Sequence, residues 1–339
     1  VLVTGGCGFI GSNFIKYLLI KDPSKFIVNL DKLTYAGNSM NLASISNDRY
    51  TFIKGDICDK NLLKSLFEKY EFESIINFAA ESHVDRSIND PLNFIKNNID
   101  LSINLFFAYS HYLKIKKIKF FQISTDEVYG SLIKGYSKET DPYDPSSPYS
   151  ASKGSVDLIA SSFNRTYKTN IKIINLSNNY GPYQYPEKFI PTLILHYLKN
   201  KPAPIYGKGK NIREWIHVKD SCEAILKTIM SKKKFKKINI GSSLRVSNIE
   251  IANLIFKIMK SKGLTDLSKK KFLRTVRDRP GHDERYALNT SLFKKIINYR
   301  IQKSLKVGLE DTINWYLNNK NWLKSTHKTY NYKRLGLID

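Results

Sequence analysis

An α/β protein built on a doubly wound parallel sheet, with a smaller, mixed α/β domain toward the C-terminus, is what this sequence predicts. Three observations predict it. Short apolar runs alternate with helical periodicity through the first half of the chain. A glycine-rich segment joins the first apolar run to the first helix. The runs in that half end in small or polar residues, at the edge where open parallel sheets bind ligands.

Val1-Leu2-Val3 reads as the first strand, and Gly5, Gly8 and Gly11 follow in a Gly-x-x-Gly-x-x-Gly pattern. Phe14, Ile15, Leu18 and Leu19 then repeat at helical spacing. Glycines here let the backbone approach a pyrophosphate whose charge meets the helix N-terminus; a tight turn without ligand is the plainer alternative. Phe26 to Leu30 is the second strand, and it ends at Asp31, 20 positions beyond Gly11. A carboxylate there accepts hydrogen bonds from a ribose and repels a 2′-phosphate, which favours NAD over NADP. Lys32 beside it weakens that preference slightly.

Tyr50 to Asp56, a helix around Leu62 to Phe67, and Ser74 to Phe78 continue the alternation. Asp56 closes its strand where an adenine amino group can bind. Ala79, Ala80, Glu81, Ser82 and His83 close the next with small residues that let a cofactor lie close, and His83 reads as structural rather than as a base. A long helix over Pro91 to Tyr112 leads to the strand Lys119 to Ile123.

The stretch Ser124 to Lys153 organises the rest. Thr125, Asp126 and Glu127, three groups able to trade protons, sit where the Lys119 strand ends. Tyr149 and Lys153 lie four residues apart at the start of a helix, on one face and one turn apart. A lysine ammonium beside a phenol favours the phenolate. Bringing a tyrosine from near 10 to about 7 takes roughly 4 kcal/mol. Taken alone, a Tyr-x-x-x-Lys pair is a common accident of helices. Adjacent residues of a strand also point to opposite faces, so Asp126 and Glu127 share a site only if the chain turns there. We expect that turn, and we expect the two carboxyl pKa values to be split, with Asp126 protonated when substrate is bound.

The helix continues to about Tyr167, and Ile171 to Leu176 is the sixth strand. After Ser177 the pattern changes: 178–182 is turn-rich, Pro186 to Pro191 opens a helix, and Pro204-Ile205-Tyr206-Gly207 reads as strand and turn. Lys188, Arg213 and Arg279 come from this second region, and guanidinium forks suit a diphosphate; each alone is equally well a surface charge. Two amphipathic helices near Ser291 to Ile297 and Val307 to Leu317 end the pattern. The expected domains are 1–177, rejoined by about 214–242, and 178–213 with 243–339.

Composition narrows the partners. The 339 residues are 42% apolar, enough for a sizeable core, and no apolar run is long enough to cross a bilayer. Neither a secretory presequence nor a disulfide or zinc pattern among the three cysteines is visible, which fits a cytoplasmic protein. The six histidines lack metal-ligand spacing, so no metal is expected. A formal charge of +25 raises nucleic acid or an anionic membrane as partners, yet the lysines are scattered and no nucleic-acid motif accompanies them. Neither partner is expected.

With these motifs in view, the chain resembles the extended short-chain dehydrogenases/reductases, and among them the dTDP-glucose 4,6-dehydratases. Gly5-x-x-Gly8-x-x-Gly11 and Tyr149-x-x-x-Lys153 carry the superfamily likeness; Ser124-Thr125-Asp126-Glu127-Val128-Tyr129-Gly130 carries the narrower one. Ser177 to Tyr183, Pro186-Glu187-Lys188 and Asp278-Arg279-Pro280-Gly281-His282-Asp283 match as well. The segment between Gly130 and Tyr149 is short beside some members of the family. The resemblance implies a Rossmann-like sheet, NAD as cofactor, dTDP-glucose as substrate and a homodimer joined through 101–109 and 156–163. In the family reaction NAD⁺ takes a hydride from C4 while Tyr149 removes the hydroxyl proton and Thr125 holds that oxygen. Glu127 then takes the C5 proton, Asp126 protonates the departing C6 hydroxyl, and the hydride returns to C6. Lys153 completes the catalytic set.

Residue by residue, it implies cofactor contacts from Gly5, Gly8, Ile10, Gly11, Asp31, Lys32, Leu33, Thr34, Asp56, Ile57, Phe78, Ala79, Ala80, Glu81, Ser82, Asn97, Tyr149, Lys153 and Asn179. Substrate contacts are implied from Ser82, Thr125, Asn178, Lys188, Phe189, Pro204, Ile205, Tyr206, Arg213, Asn248, Asp278, Arg279, Pro280, Gly281 and His282. Neighbouring readings are a UDP-glucose 4,6-dehydratase, a sugar-nucleotide 4-epimerase or decarboxylase of the same fold, and a non-catalytic sugar-nucleotide sensor. A sensor has no need of proton-transfer groups.

Overall fold

The structure, a computed structural model, describes residues 1–45 and 48–327; the last part of the expected second domain, 328–339, lies outside the described residues. The strands are β1 Leu2–Thr4, β2 Ile27–Asp31, β3 Tyr50–Lys54, β4 Ser74–Asn77, β5 Lys119–Thr125, β6 Ile171–Leu176, β7 Asn178–Tyr180, β8 Ala203–Tyr206, β9 Ile212–His217, β10 Lys237–Ile240, β11 Arg245–Ser247 and β12 Leu273–Val276. Among them run helices α1 Phe9–Lys21, α2 Lys60–Lys69, α3 Val84–Asn89, α4 Pro91–Tyr112, α5 Pro148–Thr166, α6 Phe189–Leu198, α7 Val218–Met230, α8 Asn248–Ser261, α9 Ser291–Ile297, α10 Leu305–Asn318 and α11 Lys320–His327.

Seven strands form one all-parallel sheet in the order β10-β6-β5-β4-β1-β2-β3. Strand order reverses between β1 and β4, which leaves a crevice at their carboxyl ends. Because both faces are covered, the strands are apolar on both. Successive residues part accordingly: Leu2, Phe120 and Ile173 pack on one side with Leu105, Phe106 and Val156. Val3, Phe121 and Ile174 pack on the other with Phe14, Ile15 and Ile225. The fold class is the Rossmann-like one expected.

A second lobe has its own core, where Tyr180, Leu193, Tyr197, Ile255, Phe256 and Tyr316 meet. It carries a three-stranded sheet, β11-β9-β7, and a parallel pair, β12-β8. Two expectations are corrected here. Residues 178–180 are a strand rather than a turn, because Asn178 to Tyr180 pair in parallel with Trp215 to His217. Helix α6 begins at Phe189, not at Pro186, and Pro186 to Lys188 remain loop.

Two local devices set the site. Ser147 caps α5 through a reciprocal hydrogen-bonding box with Ser150, and Pro148 occupies its first turn. Helix therefore begins just ahead of Tyr149. At the end of β5 the chain turns into a 3-10 turn, Asp126 to Tyr129, whose first residue is preceded by a Thr125 side chain accepting from the Glu127 amide. Gly130 ends it at φ +72, where an added Cβ would lie 2.0 Å from the Asp144 carbonyl oxygen.

Candidate active site

The crevice opens into two adjoining cavities. One, about 350 Å³, runs from Asp31 and Asp56 past the glycine loop to Tyr149 and Lys153. The other, about 420 Å³, runs from Thr125, Asp126 and Glu127 into the second lobe, toward Arg213, Asn248 and Arg279. Ser82, Ser124 and Tyr149 line both, so the two meet at the strand ends.

The first cavity suits a dinucleotide. The Gly8 amide donates to the Gly5 carbonyl at 3.1 Å, and Gly8, the residue before α1, brings no side chain to cap the helix, whose first residues Phe9 to Gly11 line the cavity. A Cβ on Gly11 would sit 2.4 Å from the Gly5 carbonyl oxygen, and one on Gly5 2.6 Å from Ala79 backbone, so the loop accepts only glycine at both. Asp31 anchors the loop: its carboxylate oxygens accept from the Cys7 and Leu33 amides, both at 2.8 Å. Burial pushes its carboxyl up, and those amides oppose the rise. Lys32 is turned away from it onto Asp56, 2.6 Å off. Burial alone would raise the Asp56 carboxyl, but that ammonium holds it below the usual value.

The second cavity carries the acid–base groups. A 3-10 turn separates successive side chains by roughly 120° rather than 180°, which brings Asp126 and Glu127 to one wall. Asp126 is 3% exposed; its Oδ1 accepts from Thr125 Oγ1 at 3.2 Å, and its Oδ2 is buried with no partner among the described residues. Burial pushes its carboxyl well above the ordinary range, and the Glu127 charge adds to the rise. Burial raises Glu127 too, but Arg279, Arg213 and Lys188 pull against it. Asp126 is therefore the proton-holding member and Glu127 the one nearer to its charged form.

The raised Asp126 carboxyl bears on stability. Its folded value lies above the unfolded one, so ionisation costs stability as pH rises through that interval, and the cost persists above it. Asp126→Asn should melt a few degrees higher than the parent at neutral pH, and the gain should vanish below about pH 4. Thermal melts across pH check both halves of that expectation.

Without the second positive charge of a cofactor, the phenol of Tyr149 is not driven to its charged form. Burial, and then the Glu127 charge, push the Tyr149 phenol up, while a hydrogen bond with Thr125 opposes them. Lys153 gives its hydrogen bond to the Ile123 carbonyl at 2.7 Å, and burial takes it down to about 8. In the free protein Tyr149 thus keeps its proton.

Lys188, Arg213 and Arg279, each equally readable as surface charge, all line the second cavity. Arg213 donates to the carbonyls of Ile212 (2.9 Å) and Asp283 (2.8 Å) and stacks on Tyr286 at 4.2 Å. Arg279 leans on Asp85 at 3.5 Å, and the Lys188 ammonium donates to the Ser82 carbonyl. Asn178, Phe189, Pro204, Tyr206, Asn248 and His282 also line this cavity. Ile10, Thr34, Ile57, Phe78 to Ser82 and Asn97 line the first. His83 caps α3 through Nδ1, which accepts from the Arg86 amide at 3.2 Å.

Other residues fall outside the expected walls. Ile205 turns into the core because strand alternation sends Pro204 and Tyr206 to the cavity instead. Leu33 is at φ 57 inside the turn that its amide makes with Asp31, off the cavity wall. Asn179 lines the second cavity, not the first. Asp278 is bound to His282 at 2.6 Å, and Gly281 is pressed on the Ser146 carbonyl, so neither they nor Pro280 line a cavity. Sequence reasoning passed over Asp85, which accepts from Tyr206 and Arg279, and Glu187, which is bound to Arg86 at 3.0 Å. The signal for both was charge placed directly after strand or loop motifs already singled out, in Val84-Asp85-Arg86 and Pro186-Glu187-Lys188.

Comparison with known proteins narrows the chemistry. Residues 2–312 match the family model described as GDP-mannose 4,6 dehydratase. A probable dTDP-glucose 4,6-dehydratase of Sinorhizobium fredii is 39% identical over 100% of this chain and 99% of its own length. A dTDP-glucose 4,6-dehydratase of Xanthomonas campestris is 40% identical over 99% of this chain and 98% of its own. The crystal structure of the Streptomyces venezuelae dTDP-glucose 4,6-dehydratase, solved with NAD bound, superposes with a TM-score of 0.88 at 38% identity, covering 96% of this chain and 99% of that one. The chain belongs to the dTDP-glucose 4,6-dehydratase family.

Proposed function

We infer that the protein is a hydro-lyase that converts dTDP-glucose to dTDP-4-keto-6-deoxyglucose, a deoxysugar precursor, with NAD as its resident cofactor. The observation that carries this is the unequal carboxyl pair, Asp126 and Glu127, placed beside Tyr149 where the two cavities join. An epimerase has no use for a second acid–base pair of this kind.

The bound cofactor supplies a reversible two-electron acceptor, which makes the sugar C5 proton acidic while C4 is a ketone. Everything else falls to side chains of this chain. Gly5, Gly8 and Gly11 let backbone amides meet the pyrophosphate, and Asp31 accepts from the ribose hydroxyls. Arg213, Arg279 and Lys188 hold the sugar nucleotide's diphosphate. Thr125 holds the C4 oxygen, and Tyr149 takes its proton. The Lys153 ammonium favours the phenolate, and an oxidised nicotinamide held in the first cavity would add the second positive charge that the free protein lacks. Glu127, nearer to its charged form, takes the C5 proton, and Asp126 delivers the proton it holds to the leaving C6 hydroxyl.

Among the described residues no helix is long and apolar enough to cross a membrane. Free thiols at Cys7, Cys58 and Cys222 support a cytoplasmic location. Phe107 on α4 and Leu158 on α5 are exposed apolar side chains within 101–109 and 156–163, and they support a homodimer through those segments. Purified protein should turn over dTDP-glucose with the alkaline absorbance of a 4-keto sugar, and faster than UDP-glucose at equal concentration. Preference for the uridine nucleotide would overturn the substrate, and retained hydroxyl at C6 would overturn the reaction.

A further inference from the structure

One deeply buried carboxylate beside the site has no part in the steps above. Asp157 lies on α5 one turn beyond Lys153 and is 1% exposed. Its Oδ2 accepts from Ser124 Oγ at 2.7 Å and Tyr143 OH at 2.9 Å. Its Oδ1 is buried with no partner among the described residues. Burial raises this carboxyl, but the Ser124 and Tyr143 hydroxyls that converge on one oxygen, and the Lys153 and Lys237 charges, pull against the rise and favour its ionised form. Ser124 ties this carboxylate to the junction of the two cavities, because it lines both.

Lys153 needs such a neighbour. Its ammonium is buried, and its hydrogen bond goes to the neutral Ile123 carbonyl. A carbonyl dipole replaces only part of the hydration that a buried cation loses. Asp157, one turn along α5 and bonded to Ser124 while Lys153 is bonded to the adjoining Ile123, is the negative charge placed to oppose that loss. We propose that Asp157 is a positioning residue: it keeps the buried Lys153 ammonium charged, and so keeps Tyr149 able to give up its proton. This rests on the roles of Tyr149 and Lys153 inferred above.

The other charged and titratable groups around the pair are few. Tyr149 shares α5; Asp126, Glu127 and Tyr129 face it from the 3-10 turn, and Tyr143 from the loop that follows. From β10, Lys237 lies 4.0 Å from the centre of the Tyr143 ring and favours the ionised Asp157, and Glu139 and Asp141 act on Lys237 through their charge. Helix α3 presents Ser87, and α4 presents Phe94 and Asn98, all uncharged.

The sign follows from Lys153 itself. It works protonated and loses its proton as pH rises past about 8. Without the negative charge of Asp157 its proton affinity falls, so that loss moves to lower pH. In Asp157→Asn the alkaline limb of kcat should shift down by about one pH unit, with KM unchanged. Asp157→Glu should restore the limb, and Asp157→Ser, a second neutral variant, should reproduce the shift if the asparagine variant does not fold.

A second readout needs no turnover. Acetic anhydride labelling of the purified protein, followed by mass spectrometry, reports the pH at which Lys153 becomes a free amine. That midpoint should fall by about one unit in the neutral variants. An unmoved midpoint overturns the proposal even if activity is lost, because a purely structural defect would not shift it. Lys153→Met separates the underlying roles: full dehydration in that variant removes Lys153 from the mechanism, whereas the labelling midpoint still tests its coupling to Asp157.

Discussion

Glu127→Gln should still bind both ligands and oxidise the sugar, yet fail to release water. The change removes a carboxylate that no hydrogen bond holds among the described residues and keeps its size, so the 3-10 turn has no reason to rearrange. A positioned base contributes roughly 10²- to 10⁴-fold, and dehydration should fall by that order. Reduced nicotinamide should then build up on adding dTDP-glucose, because oxidation proceeds and elimination does not. Spectra of the mixed enzyme and substrate check this. Unimpaired dehydration would remove Glu127 from its role; loss of dTDP affinity would show that the side chain shapes the cavity instead.

Tyr149→Phe should stop the reaction one step earlier. The phenol lies 8% exposed at the junction of the cavities, with Thr125, Glu127 and Asp126 as its neighbours. Removing its oxygen leaves the C4 hydroxyl without a base, at a cost of about 10²- to 10⁴-fold. No reduced nicotinamide should form, which separates this variant from Glu127→Gln. The pH dependence has a definite direction as well. Burial and Glu127 hold the phenol protonated in the free protein, so activity should rise with pH until Lys153 loses its proton past about 8 and then fall. A single-turnover pH series reads both limbs. Reduced nicotinamide formed at the parent rate in Tyr149→Phe would assign the proton to another group.

Much of the fold was legible because it rests on local patterns. The helices Pro91–Tyr112 and Ser291–Ile297 and the strand Ile171–Leu176 agree with their sequence signals end to end. Their apolar periodicity is unbroken, and Pro, Asp or Asn punctuates their termini. Strand β7 was not legible. Asn178, Asn179 and Tyr180 have no strand propensity that outweighs the following Gly181-Pro182, and they are extended because β9 offers them a partner.

The candidate site divides in the same way. Asp31, the glycines, Tyr149 and Lys153 could be read from spacing, since each lies within a turn or two of the strand or helix that places it. Asp85 and Glu187 could not, because their partners Tyr206 and Arg86 lie 121 and 101 residues away along the chain.

By itself, the sequence determined which residue types meet at the carboxyl edge of the sheet: proton carriers at 125–127 and 149, a cation at 153, glycines at 5, 8 and 11. Order along the chain dictates that edge once the strands are parallel and the crossovers right-handed. Only the tertiary structure decided their protonation. Whether a carboxyl or a phenol keeps its proton depends on how much water and which charges surround it, and those come from elements far apart in sequence. Arg213, Arg279 and Lys188, all from the second lobe, hold Glu127 below what burial alone would give it, while Asp126, a residue away, keeps its proton.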